Sequence, residues 1–360
     1  MLRKDIYNNI VEEYNRAYSW LGEDFAKEFL NSVASWNIQT YNIAPFRIRR
    51  HLMLCWQHSM LKSTLLISAY KILGKEACTH MSDLSNAALR GTVDYGRFVS
   101  PYTLKRPFAV CTEFGQLSGS GDKSELVQKL LNVLEEGFVE VSLGKIASLS
   151  DATRDQISED WGIYFIDKNT FSYKTNWVLM AATYNKKFLV DNALESRFVI
   201  LHPRKPFDNA LTKHVVNAGG LRVDEETKIA LRAELQKNKE IETNIKLPEG
   251  IFEGGPITPR DCASLLSTIL CRGWWNISTS KDEIIQMADK MRKSREEIWK
   301  TAEDKVYDAI LDEPKTAKQI AEETKYSVKH VHHCLNKMRN TVHRDITYDE
   351  DGKRRIVYTL

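Results

Sequence analysis

An α/β protein is predicted: a parallel sheet flanked by helices, a helical lid, and a C-terminal module of helices closed by a two-stranded ribbon. Three observations predict it. Between residues 51 and 205, short apolar runs alternate with helical patterns, as in strands joined by helical crossovers. Residues 206–300 keep a helical pattern around a polar, glycine- and proline-rich interruption, LPEGIFEGGPITPR, which reads as a loop within a helical lid. From 301 to 360 helical spacing gives way to two alternating segments, TVHRDITYD and KRRIVYTL, joined through Glu350-Asp351-Gly352, a hairpin signal.

Composition bounds the class. With 360 residues, 42% hydrophobic and 28% charged, the chain can build two or three cored domains, and a predominantly disordered protein is excluded. A formal charge of only +3 means that affinity for nucleic acid must come from local clusters. The six cysteines are scattered through apolar stretches without a paired CxxC spacing, so they read as reduced core residues and not as zinc or redox ligands. The start, MLRKDIYNNIVEEYNRAY, lacks an apolar leader, and no run of eighteen apolar residues occurs. The expectation is a soluble cytoplasmic protein with no membrane partner.

Residues 1–50 form a helical lead-in, since Ile6, Ile10, Tyr14, Phe25, Phe29 and Val33 recur at helical spacing. The core over 51–205 then opens with the strand-like HLMLCW, a loop, Lys62-Ser63-Thr64 and the apolar helix STLLISAYKIL. That is the layout of a phosphate-binding loop of the Walker A kind: backbone amides and the helix N-terminus wrap phosphates, Lys62 reaches the outer ones, and Ser63, beside Thr64, ligates magnesium. Trp56 and Leu61 stand where that loop ordinarily has glycines, and a plain strand-to-helix connection with a solvated lysine is the alternative. The next strand, RPFAVCTEF, ends in Thr112-Glu113. Glu113 can act as general base on a water, whereas Thr112 brings no charge to a magnesium shell. Its alternative is the polar end of a buried strand.

Four further segments follow in order, and with them residues 45–275 resemble the minichromosome-maintenance branch of the AAA+ ATPases. QKLLNVLEEGFVEVSLGKI is similar to that family's helix and β insert, and GIYFIDKNTFSYKTNWVLMAATYN to its pre-sensor hairpin and sensor-1 strand. NALESRFVILHP resembles its SRF motif, and GGPITPRDCASLLSTIL its lid helix. The family's loop commonly carries alanine before its lysine, which makes Leu61 a smaller departure than Trp56. The resemblance implies ATP and Mg2+ as cofactors, with Thr183 or Asn185 at the γ-phosphate or the lytic water. It makes Lys168 and Lys174 hairpin contacts to DNA in a central channel, Arg197 a finger into the neighbouring subunit's site, and Arg260 the sensor-2 residue. It also implies a homo-oligomeric ring or partial ring and replication proteins as possible partners. Only about fifty residues precede the loop, so a minimal relative without large N-terminal DNA-binding domains is expected.

Residues 301–360 read as helix EDKVYDAILDE, helix TAKQIAEET, turn KYS, helix VKHVHHCLNKMRN and a two-stranded wing, a winged helix-turn-helix. Ile310, Ile320, Ala321, Val328, Val331 and Leu335 are its expected core. Lys329, His330, His333, Lys337 and Arg339 on the third helix, with Lys353, Arg354 and Arg355 on the wing, are candidate DNA contacts; a protein-binding winged helix is the alternative. His330, His332, His333 and Cys334 point around a helix axis and cannot converge on one metal. Trp274 and Trp275 read as core or subunit interface. The expected function is an ATP-dependent DNA-binding oligomer, a helicase or replication initiator of minimal type. A pseudo-ATPase scaffold on DNA is the rival, and an ATP-driven transcription activator is disfavoured because no GAFTGA-like loop is present.

Overall fold

A computed structural model describes residues 1–38, 42–43, 46–47, 49–56, 60–81, 89, 91–94, 97–114, 130–135, 137–183, 197–205, 207–237, 247–253, 255, 257, 259–299, 302–310, 313–324, 326–338, 342–348 and 354–359. The chain divides into two compact units. One comprises 1–248 with 258–284, the other 249–257 with 285–360.

The first unit is α/β. Its five-stranded sheet contains β1 (His51–Cys55), β2 (Cys78–Met81), β3 (Phe108–Cys111), β7 (Val178–Thr183) and β8 (Phe198–Leu201), in the spatial order β8-β1-β7-β3-β2 with every pair parallel. Parallel strands are buried on both faces, so the central ones read as unbroken apolar runs. In β1, β3 and β7 every residue is buried. Alternate residues serve different cores: Leu52, Leu54, Val110 and Met180 meet one, and Met53, Cys55, Cys111 and Ala181 meet the other. The edge strand β2, sequence CTHM, is half polar and gives no apolar run, so the sequence pattern passes over it.

The first face is covered by α1 (Arg3–Ile38) and α2 (Lys62–Leu73), and α4 (Asn209–Ala218), α5 (Glu225–Leu235) and α6 (Pro259–Trp274) pack on α1. The N-terminal segment is thus an integral layer of the core. Ile6, Ile10, Tyr14, Phe25, Phe29 and Val33 are all fully buried. Two helical stripes separated by a non-helical Ser19 (φ 55°, ψ −150°) let α1 change direction and keep both stripes inward. Gly22 makes the bend possible, because a Cβ there would lie 2.1 Å from the Tyr14 carbonyl oxygen. Trp274 and Trp275 are core residues, 4.5 Å apart edge to face, and the Trp275 indole donates to the Leu30 carbonyl at 3.0 Å.

The second face is covered by a helical segment at 130–135 and by a three-stranded antiparallel sheet, β4 (Phe138–Ser142), β6 (Thr170–Lys174) and β5 (Ile163–Phe165), in the order β4-β6-β5. Helix α3 (Asp151–Trp161), capped by Ser150 and ended at Gly162 in the left-handed conformation, precedes the β5–β6 hairpin.

Helix α7 (Lys281–Trp299) begins in the first unit and continues in the second. The second unit holds α8 (Ala302–Ile310), α9 (Ala317–Thr324), α10 (Val328–Lys337) and the antiparallel ribbon of β9 (His343–Tyr348) and β10 (Arg354–Thr359). Its own core joins Val306, Ile310, Ile320, Ala321, Val331, Cys334, Leu335 and Tyr358. Val328, expected in that core, is 42% exposed: it is the first residue of α10, directly behind the Ser327 cap, and at this end of the helix its face borders the open groove that Leu335 also lines. A two-way backbone bridge between Lys315 and Tyr358 (3.2 and 2.9 Å) pins the ribbon to the start of α9. Among the described residues no helix is long and apolar enough to cross a membrane.

Candidate functional site

All five parallel strands end at one edge of the sheet. There β1 has β8 on one side and β7 on the other, while the chain leaves β1 through α2 toward β2 at the far edge. Open α/β sheets take ligands at the carboxyl ends of their strands where the winding changes direction. Lys62 opens α2 at this place, and Ser63 and Thr64, both exposed, complete the first helical turn. Leu61 before them is in the left-handed conformation (φ 63°, ψ −2°) and gives the helix no side-chain cap. The first amides of α2 therefore face the loop, where a helix N-terminus favours anions. The backbone angle is one that glycine adopts freely and that costs leucine about 1–2 kcal/mol.

Lys62 is turned back onto its own loop. Its ammonium donates to the Trp56 carbonyl at 2.6 Å and lies 5.8 Å from the centre of the Trp56 ring. Burial lowers its pKa, partly opposed by Cys55. Trp56, 7% exposed, donates through its indole to the Met60 carbonyl at 2.6 Å and packs 6.3 Å from Phe207. The Trp56 indole thus lies between Met60 and Phe207, beside Lys62.

Thr183 ends β7 beside Cys55 of β1 and is 2% exposed. Glu113 lies two residues beyond β3 and is exposed. With neighbouring strands about 4.8 Å apart, the β1 and β3 ends are separated by ~10 Å, with Thr183 between them. Sequence reasoning missed His202, whose Nδ1 donates to the Cys55 carbonyl at 3.1 Å; it follows β8 on the other side of the loop. Its signal was present as the polar end of SRFVILH. Lys62, Ser63, Thr64, Glu113 and Thr183 therefore share one edge of the sheet.

Arg197 does not join them. It precedes Phe198, which pairs with His51 at the start of β1, so it lies at the opposite edge, ion-paired with Glu135. Within one chain it cannot reach Lys62. Arg260 stands in the first turn of α6, and Asn185 lies outside the described residues. Lys168 is exposed at the β5–β6 turn, which Asp167 closes by accepting from Asn169 and Thr170 amides at 2.6 and 2.8 Å. Lys174 is exposed at the other end of β6, roughly 20 Å away at strand rise.

In the C-terminal unit a groove of ≈ 650 Å³ runs between α10, the start of α9 and the ribbon. It divides the residues that the sequence grouped together. Arg354 and Arg355 line it, joined by Lys318, Arg344, His332 and Asn336, none of which the sequence singles out as a DNA contact. Lys329, His333 and Lys337, spaced four apart, form an exposed stripe on α10 outside the groove, and His330 packs 4.9 Å from Tyr326. Arg339 and Lys353 lie outside the described residues. No protein-family model and no curated protein matches this chain.

Proposed function

We propose that the chain is an ATP-dependent, DNA-binding oligomer of the AAA+ type, a helicase or replication initiator whose C-terminal unit acts as a winged helix. The observation that carries this reading is the meeting of Lys62, Thr183 and Glu113 at the carboxyl edge of a parallel sheet, with a left-handed residue directly before the lysine. Lys62 and the first amides of α2 would hold the phosphates, and Ser63 would ligate magnesium. Glu113 would orient and deprotonate the attacking water, with Thr183 beside it. ATP supplies the phosphoryl bond whose cleavage drives the oligomer. Arg197, on the far edge, suits action across a subunit boundary, which makes turnover depend on assembly.

The test is ATP hydrolysis with magnesium, with and without DNA. Turnover stimulated by DNA, lost in Lys62→Ala and Glu113→Gln, is expected. In Arg197→Ala turnover should be lost with nucleotide binding retained. Unchanged turnover in all three variants would end the proposal.

One observation favours a second reading, a pseudo-ATPase that holds DNA without hydrolysis. The Lys62 ammonium is bonded to the Trp56 carbonyl, and the Trp56 indole is bonded to the Met60 carbonyl just before the lysine. On that reading wild-type protein binds no nucleotide, and Trp56→Gly restores measurable ATP binding by opening the loop.

A further inference from the structure

Four cationic residues, Lys318, Arg344, Arg354 and Arg355, border the C-terminal groove, and all four are exposed; Arg355, paired with Thr347, alternates with Arg354 and belongs to the other face of the ribbon. Among the described residues none of the groove's lining is acidic. Polar contact is added by His332 and Asn336, both exposed on α10. Between these groups the floor is apolar, made of Leu335, Val342 and Ile356. A cationic rim over an apolar floor fits a polyanion that also has flat apolar surface to bury.

The ribbon extends this surface. Arg344, Ile346 and Tyr348 alternate along β9 and so share a face, opposite Tyr358, Ile356 and Arg354 of β10. Arg344, Arg354, Ile356 and Tyr358 line the groove, so Ile346 and Tyr348 continue the same wall outward. These two are 50% and 70% exposed. Tyr348 is directly cross-strand from Arg354, which sets an aromatic ring within about 5 Å, Cβ to Cβ, of a guanidinium stem.

We propose that this groove and the adjoining ribbon face bind single-stranded DNA, its phosphates on Lys318, Arg344 and Arg354 and a base stacked on Tyr348. The proposal rests on the reading of the C-terminal unit as a DNA-binding module and deepens it by naming the form of DNA. A duplex offers phosphates, sugars and base edges but keeps the flat faces of its bases stacked inside, so Tyr348 has no base to stack on. An unpaired strand supplies one, since every base has a face that stacks.

The experiment is fluorescence anisotropy on the full chain, with a labelled oligothymidylate of about 15 nucleotides and a blunt duplex of similar length, over a salt series. Preference for the single strand is expected. Tyr348→Ala should weaken it roughly 10-fold, the effect of one stacked base, and leave duplex binding unchanged, while Tyr348→Trp retains affinity. Arg344→Ala should lower the salt slope for the single strand by about 0.7. Both side chains are exposed, so circular dichroism of the variants should match the parent. Tighter duplex binding with no effect of Tyr348→Ala overturns the inference and leaves the DNA-binding reading standing. Failure to bind either probe removes both.

Discussion

Arg50 carries a guanidinium into the interior of the first unit, 4% exposed, where it donates to Glu28 at 2.7 Å, to the Thr268 hydroxyl at 2.6 Å and to the Ser264 carbonyl at 3.2 Å. It ties α1 to α6 by charge as well as by apolar contact. Removing one partner of a buried pair strands the other, so Arg50→Ala is expected to cost about 3–5 kcal/mol, read as a lowered urea midpoint. Adding Glu28→Ala should recover part of that loss. Gly22 is a steric case: with the Tyr14 carbonyl 2.1 Å from any Cβ, Gly22→Ala must push the two halves of α1 apart. A loss of about 1–3 kcal/mol is expected from this overpacking, measured in the same way. Leu61 shows how much of the site a residue-level reading reaches. Its position is one where phosphate loops favour small residues, and its backbone is in the region that glycine prefers. That Trp56 and Lys62 close on each other across the loop was not legible, because it depends on side-chain packing that includes Phe207.

At the scale of elements, the join between β1, β7 and the helical segment at 130–135 passes through one imidazole. His51 accepts from the Leu179 amide at Nδ1 and donates from Nε2 to the Leu134 carbonyl, each at 3.0 Å, so it is held neutral. Burial, and secondarily the Arg49 charge, push its pKa from 6.5 down to about 3, against the opposing pull of the Leu134 carbonyl. The unfolded chain thus binds a proton that the folded chain refuses between those values. Stability is full above pH 6.5 and falls as pH drops toward about 3. Urea midpoints across this window should decline with acid, and the decline should shrink in His51→Gln. In the second unit α9 starts with a reciprocal cap: the Thr316 hydroxyl accepts from the Gln319 amide at 3.3 Å and the Gln319 side chain accepts from the Thr316 amide at 2.9 Å. Thr316→Ala should destabilise this unit by about 1 kcal/mol, visible in its thermal transition.

Among the described residues there are three cores, two in the first unit and one in the second. The first unit buries both faces of its parallel sheet, and the second has a small core of its own. Leu335, 4% exposed, belongs to the latter alone. Leu335→Ala should cost that unit about 2–5 kcal/mol and leave the transition of the first unit where it was, so calorimetry should show one peak moving and one fixed. A single shifted peak would count against two folding units. The proposed division of labour follows the same boundary, with nucleotide chemistry on the sheet edge and DNA on the C-terminal groove.

The strands β1, β3, β7 and β8, the helix after β1 and the three helices of the C-terminal unit could be read directly from the chain. Burial on both faces leaves an apolar run and burial on one side leaves a helical period, and these are local signals. Order within the sheet is not local: that β1 lies between β8 and β7, that the half-polar β2 forms the edge, and that α1 covers a face all depend on contacts between distant residues. For the same reason Lys62 and Thr183 meet at one edge while Arg197 lies at the other. The hairpin that puts Arg344 and Arg354 on paired strands is legible, but that Lys318 of α9 lines the same groove depends on tertiary contacts.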